Sequence, residues 1–197
     1  MVAHGGRARA ELLEGVTLEK IPAYRDAIPH SLLVLGTHGG GRIERQLIDS
    51  AAERTLRTTD CPTITVGPKV PTLSGQHIIS RMLYATDCSE LAARAASLAC
   101  AMAGSFSSTL KVISVIDERS GAVPDLPADL EFRTHRAIAS QLDGECDHFS
   151  EPRALVSPSQ ARQQILKYAD ETKSELIILD VHRRKTIQTF DRNSVTI

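Results

Sequence analysis

Residues 31–35, SLLVL, form a short run that is apolar almost throughout. A strand with one wet face alternates polar and apolar residues. A continuous apolar run instead suits a strand covered on both faces, as in a parallel sheet between layers of helix. The pattern returns at 175–179, ELIIL, about 144 residues further on. Between the two lie β-branched runs at 63–66, 78–85 and 110–116, separated by turn-rich or helix-prone sequence. Strands alternating with helices predict an α/β fold: an open, mostly parallel sheet with flanking helices and right-handed crossovers. Hydrophobic residues make up 42% of the 197, enough for a core. Aromatic residues are only 4%, so that core is aliphatic.

The remaining elements follow from local chemistry. Residues 8–13 predict a short helical piece stopped by Gly15. Residues 16–21 alternate and predict a strand that Pro22 ends, and 24–28 predict a single helical turn. Residues 42–59 read as loop then helix, and 70–77, with Pro71, Ser74 and Gly75, as a linker. After the strand at 78–85, Thr86 to Ser89 form a turn in which Asp87 or Ser89 can cap an Ala-rich helix over 90–103, stopped by Gly104. A surface loop over 117–129 precedes a helix over 130–143. A strand must fit within 145–156, and a helix over 159–172 turns Ile165, Leu166 and Ala169 inward.

The two apolar runs belong to a longer echo. SLLVLGTHGG at 31–40 matches ELIILDVHRR at 175–184, pairing His38 with His182. Downstream, Asp49-Ser50 matches Asn193-Ser194. This is an internal repeat in which several glycines have been replaced. Ligands of open parallel sheets sit beyond the carboxyl ends of the strands, which is where residues 36–39 and 86–89 fall. Gly36, Gly39, Gly40 and Gly41 would let backbone N–H groups approach phosphate oxygens through positive φ and close packing. Ser50 adds a hydroxyl. The spacing is neither that of the lysine-bearing phosphate loop nor that of the dinucleotide fingerprint.

These two regions resemble the universal stress protein family. Its nucleotide signature runs glycine, two residues, glycine, nine residues, then glycine and Ser or Thr. Gly36, Gly39 and Ser50 match it, with Asp49 in place of the penultimate glycine. DCPTITVG at 60–67 looks like the family's last strand. LYATDCSELAARAASLA at 83–99 looks like the start of another family domain, in which Asp87 matches the acidic residue near the nucleoside of ATP-binding members. The match runs on through KVISVID and ELIILDVHRR, where Asp180, Arg183 and Asn193 replace the signature glycines and Ser194 remains.

The resemblance implies a universal stress protein-like, Rossmann-like architecture. Residues 1–69 correspond to the C-terminal half of one domain, 70–77 to a linker, and 78–197 to a second domain lacking its final helix and strand. The chain thus reads as a fragment, or an unusually delimited product, of a tandem stress protein. It also implies a homo-oligomer, or complementation between the two segments.

The functional expectation is a non-catalytic regulatory or interaction protein with a degenerate adenine-nucleotide site. Gly36, Gly39, Ser50, Asp87 and Ser194 are its candidate binding residues. An ATP-binding stress-response switch, with weak ATP as its ligand, is one alternative; a structural fragment without independent activity is another. Asp49 sets a carboxylate where triphosphate would approach. No serine–base–acid arrangement or carboxylate pair marks a catalytic site. The net charge of −1 gives no general attraction to nucleic acid or to an acidic membrane. The basic run at 182–185, HRRK, lacks aromatic interleaving. No apolar run approaches the roughly 18 residues of a membrane span, and no signal-peptide core is present. The expected location is cytoplasmic, with Cys61, Cys88, Cys100 and Cys146 as four reduced thiols and no metal-ligand spacing among them. Cys88 falls near a helix N-terminus, where a thiol pKa tends to drop.

Overall fold

The computed structural model describes residues 9–36, 55–56, 59, 61–67, 79–89, 92–117, 127–142, 146, 153–157 and 160–180. The chain divides into two compact units, Met1–Pro68 and Lys69–Ile197.

In the first unit, α1 (Thr17–Asp26) occupies the stretch whose alternation predicted a strand. Leu18, Ile21, Tyr24 and Ile28 recur at steps of three and four, and this longer helical period prevails over the local alternation. Glu19 in the first turn and Arg25 in the last complement the helix dipole. The helix runs through Pro22 and buries none of its residues. Residues 9–14 are irregular rather than helical. β1 (Leu33–Gly36) pairs in parallel with β2 (Thr63–Val66), Leu33 opposite Thr63 and Gly36 opposite Val66. β1 is not covered on both faces: Val34 is 57% exposed.

The second unit holds β3 (Arg81–Ala85), α2 (Ala93–Phe106), β4 (Thr109–Asp117), α3 (Pro127–Gln141), β5 (Arg153–Ser157), α4 (Ala161–Glu171) and β6 (Leu176–Leu179). Its sheet is wholly parallel, in the order β5-β4-β3-β6. Met82, Leu83, Tyr84 and Ala85 are all buried, so β3 is covered on both faces, as its apolar run requires. Leu83, Ala85, Ile113 and Ile177 pack with Ala169 of α4, and Ile165 and Leu166 support them. The predicted inward stripe of that helix is therefore correct. α2 packs against β3, β4 and β6. Its buried positions Ala96, Ala99 and Ala103 are small, which lets the helix approach the sheet closely. α2 continues past Gly104 and ends on Ser107, which takes the left-handed conformation at φ 53°. Pro127 opens α3, where its missing N–H costs no helical bond.

Glu175 fastens β6 to β3 at their amino ends. Its carboxylate accepts from the Ser80 N–H (2.8 Å), the Ser80 hydroxyl (2.9 Å) and the Arg81 N–H (3.0 Å). The Arg81 guanidinium stands 3.3 Å away. Burial pushes the Glu175 carboxyl up, but these donors and the Arg81 charge together hold it below its ordinary value.

Cys100, in α2, and Cys146, beyond α3, are joined as a disulfide with their Cα atoms 5.3 Å apart. The expectation of four reduced thiols is corrected here: folding brings together two cysteines 46 positions apart, a pairing that no short spacing announces. Cys61 and Cys88 are free thiols. No helix among the described residues is long and apolar enough to cross a membrane.

Candidate functional site

The sheet of the second unit grows from β3 in two directions, first through β4 to β5 and then, on the other side, to β6. In open parallel sheets such a reversal marks the place, here beyond the carboxyl ends of β3 and β6, where ligands sit. Leu179 pairs with Ala85, so Thr86 and Asp180 leave the sheet as neighbours. This edge of the sheet thus carries Asp87 just beyond one strand end and Asp180 beyond the other, both exposed.

Short side chains shape the loop after β3. The Thr86 N–H extends the ladder to the Ile113 carbonyl, 3.0 Å away. The Thr86 hydroxyl accepts from the Cys88 N–H (3.0 Å), and Asp87 Oδ1 accepts from the Ser89 N–H (2.9 Å). Ser89 Oγ then accepts from the Ala92 N–H at 3.3 Å, just ahead of α2. Asp87 therefore closes an Asx-type turn within the loop rather than capping α2, which starts at Ala93 with no side-chain cap, and its carboxylate stays exposed. These two turns force Cys88 into the left-handed region, at φ 61°. A non-glycine residue held there costs on the order of 1 kcal/mol or more.

Cys88 does not have the lowered pKa expected near a helix end. Burial pushes its thiol up and the Asp87 charge adds to this, against a lowering by Ser114. Its Sγ lies 3.9 Å from Ser114 Oγ on β4. The group is a protonated, half-buried thiol rather than an activated nucleophile.

Two side chains that the sequence reading did not select hold this loop. Tyr84, fully buried, donates its hydroxyl to the Ala92 carbonyl at 2.9 Å. Gln141, at the end of α3, donates Nε2 to the Ser89 carbonyl at 2.7 Å and accepts at Oε1 from the Thr86 hydroxyl at 3.3 Å. The available signal for Gln141 was its place between the buried Ile138 and Leu142 on one helix face.

Gly36 ends β1 in the first unit. Its φ is not positive, and a Cβ there would meet nothing within 4 Å. Neither close approach nor left-handed backbone explains glycine at this position. Gly39, Gly40, Gly41, Ser50 and Ser194 lie outside the described residues. So do His38, Asp49, His182, Arg183 and Asn193. Among the described residues no group of three or more His, Cys, Asp or Glu side chains is placed to hold a metal ion.

A wholly parallel sheet whose strand order reverses at β3, with a turn-closed acidic loop outside its carboxyl edge, defines a doubly wound α/β protein. The chain belongs to the universal stress protein family, whose model matches residues 2–67 and 79–197. A universal stress protein of Methanocaldococcus jannaschii is 36% identical over 62 residues, 32% of this chain and 36% of that protein. The chain therefore spans about a third of that relative's length. A solved universal stress protein from Archaeoglobus fulgidus DSM 4304 superposes with a TM-score of 0.56 at 19% identity, over 82% of this chain and 53% of that one. The universal stress protein of Archaeoglobus fulgidus in complex with dAMP gives a TM-score of 0.42 at 20% identity, over 52% and 82% of the two chains.

Proposed function

We propose that this protein is a non-catalytic regulatory member of its family that retains the nucleoside half of an adenine-nucleotide site and has lost the phosphate half. The observation that carries this reading is Asp87, exposed at the carboxyl end of β3 beside the sheet's reversal and fixed by the Ser89 N–H. A carboxylate held in this way suits donors such as ribose hydroxyls. Asp180, at the neighbouring strand end, works against phosphate, because like charges a few ångströms apart repel by several kcal/mol near a protein surface. Asp49, in place of the penultimate glycine of the first signature stretch, adds a second carboxylate and points the same way.

Calorimetry on the folded chain tests this with adenosine, dAMP and ATP. Adenosine is expected to bind, and each added phosphate to weaken binding. Asp87→Asn, which keeps an oxygen to accept from the Ser89 N–H but removes the charge, should lower adenosine affinity by about 10-fold or more, the scale of one hydrogen bond to a charged group. Absence of heat with all three ligands at millimolar concentration would sink the nucleotide reading.

The partner in this reading is a second copy of the chain. Its support is the first unit, where α1 buries no residue and Leu12, Val16 and Val34 are 89%, 57% and 57% exposed. A two-stranded sheet with so much open apolar surface is marginal without a covering partner. Size-exclusion chromatography with light scattering should give a mass of two chains or more. A monomer that stays compact on dilution would count against self-association.

A further inference from the structure

We propose that Cys100 and Cys146 are a redox-reversible pair whose bridge keeps the Thr86–Ser89 loop gripped. Their coupling to the loop is built from two elements. α2 begins at Ala93, four positions after Ser89, and carries Cys100 as its eighth residue. α3 ends at Gln141, which holds the loop from the other side through Ser89 O and Thr86 Oγ1. Cys146 follows Gln141 by five positions. The bridge therefore ties the exit of α3 to α2, so the two elements that hold the loop are fastened to each other. Without the bridge, Gln141 sits at the frayed end of a helix, where local opening is least costly.

The chemistry is ordinary exchange with a low-molecular-weight or protein dithiol. A thiolate of the reductant attacks one sulfur of the bridge, forming a mixed disulfide and expelling the other cysteine as thiolate. The second thiol of the reductant then displaces the remaining cysteine. Two electrons pass to the bridge, Cys100 and Cys146 end as thiols, and the reductant ends as its disulfide. A small disulfide of the oxidised glutathione class drives the reverse. Cys88, nearest the site, is a poor competitor in this exchange because burial keeps its thiol protonated. Any consequence for ligand affinity rests on the nucleotide reading above; the mechanical coupling does not.

Amide hydrogen exchange on the full chain separates the two. It is measured with the bridge formed and after reduction by dithiothreitol, thiol labelling counting the free cysteines in each state. Reduction is expected to speed exchange at the Cys88, Ser89 and Ala92 amides by about tenfold, the scale of a lost hydrogen bond. The β4 amides of Val112 and Ile113 serve as the gauge of global opening and should change less. Cys100→Ser and Cys146→Ser should show the fast loop rate with or without reductant. Gln141→Ala should show it even with the bridge intact. The proposal is overturned if four thiols label under oxidised glutathione, or if the loop changes no more than Val112 and Ile113. Adenosine calorimetry in both redox states completes the test. A loop response without adenosine binding removes the nucleotide reading and leaves the latch standing; adenosine binding without a loop response does the reverse.

Discussion

Replacing Tyr84 with alanine should destabilise the second unit by about 3–5 kcal/mol, the range for deleting a large buried aromatic side chain. Tyr84 is the bulkiest fully buried side chain on β3, the strand paired on both sides and covered on both faces. Tyr84→Phe should cost only about 1 kcal/mol, although it removes a 2.9 Å hydrogen bond to the Ala92 carbonyl. That carbonyl still accepts from the Ala96 N–H at 3.0 Å, so it is not left unsatisfied. The contrast identifies packing rather than the hydroxyl as the larger contribution. Urea unfolding measures both, with the midpoint shifting and the slope unchanged. Near-equal losses for the two variants would show that the hydroxyl, not the ring, holds the strand. The phenol also sets an alkaline limit. Burial, with the Asp180 charge adding to it, pushes its pKa from 10.0 up to about 12. The folded chain then holds this proton more tightly than the unfolded chain does. The associated stability is complete below pH 10 and is lost as the pH rises toward about 12. Tyr84→Phe should lack that part of the decline.

What was legible in the sequence follows where the covering layers lie. The runs at 63–66, 78–85, 110–116 and 175–179 fall on β2, β3, β4 and β6 because β-branched or continuous apolar sequence meets a sheet. At 175–179 the pattern also predicted burial correctly, since Leu176, Ile177 and Ile178 are all buried. The same inference failed at 31–35. Burial depends on what packs against a strand, and SLLVL contains no information about its covering layer. Residues 16–21 misled because an alternating hexapeptide is also part of a helical period once Tyr24 and Ile28 are counted. At the site, the turn-forming chemistry of Thr86 to Ser89 was legible, but Asp87 closes a turn on Ser89 and does not cap the helix that begins at Ala93. Gln141 and Ser114 were not, because each reaches the loop only through tertiary folding, from 52 positions away for Gln141 and 26 for Ser114. The cysteine pair was hidden for the same reason, and its discovery bears directly on how the second unit is stabilised.

Removing the Cys100–Cys146 bridge should lower the stability of that unit by about 4 kcal/mol. The bridge closes a loop of 46 residues, and closing such a loop in the unfolded chain removes conformational entropy on this scale. For a unit of this size the loss corresponds to a fall of roughly 10–20 °C in melting temperature. Most of this effect acts on the unfolded chain, so it is invisible in the contacts of either cysteine. Two consequences distinguish it from ordinary core packing. Reducing the wild-type chain and substituting Cys100→Ser should lower the melting temperature by similar amounts, because both open the same loop. Reductant should then have no further effect on Cys100→Ser, whereas Cys88→Ser should keep the full reductant-induced shift. Thermal melts with and without dithiothreitol on the three proteins decide the matter. If the wild-type melt is insensitive to reductant while Cys100→Ser is destabilised, side-chain packing at α2 carries the stability and loop closure contributes nothing.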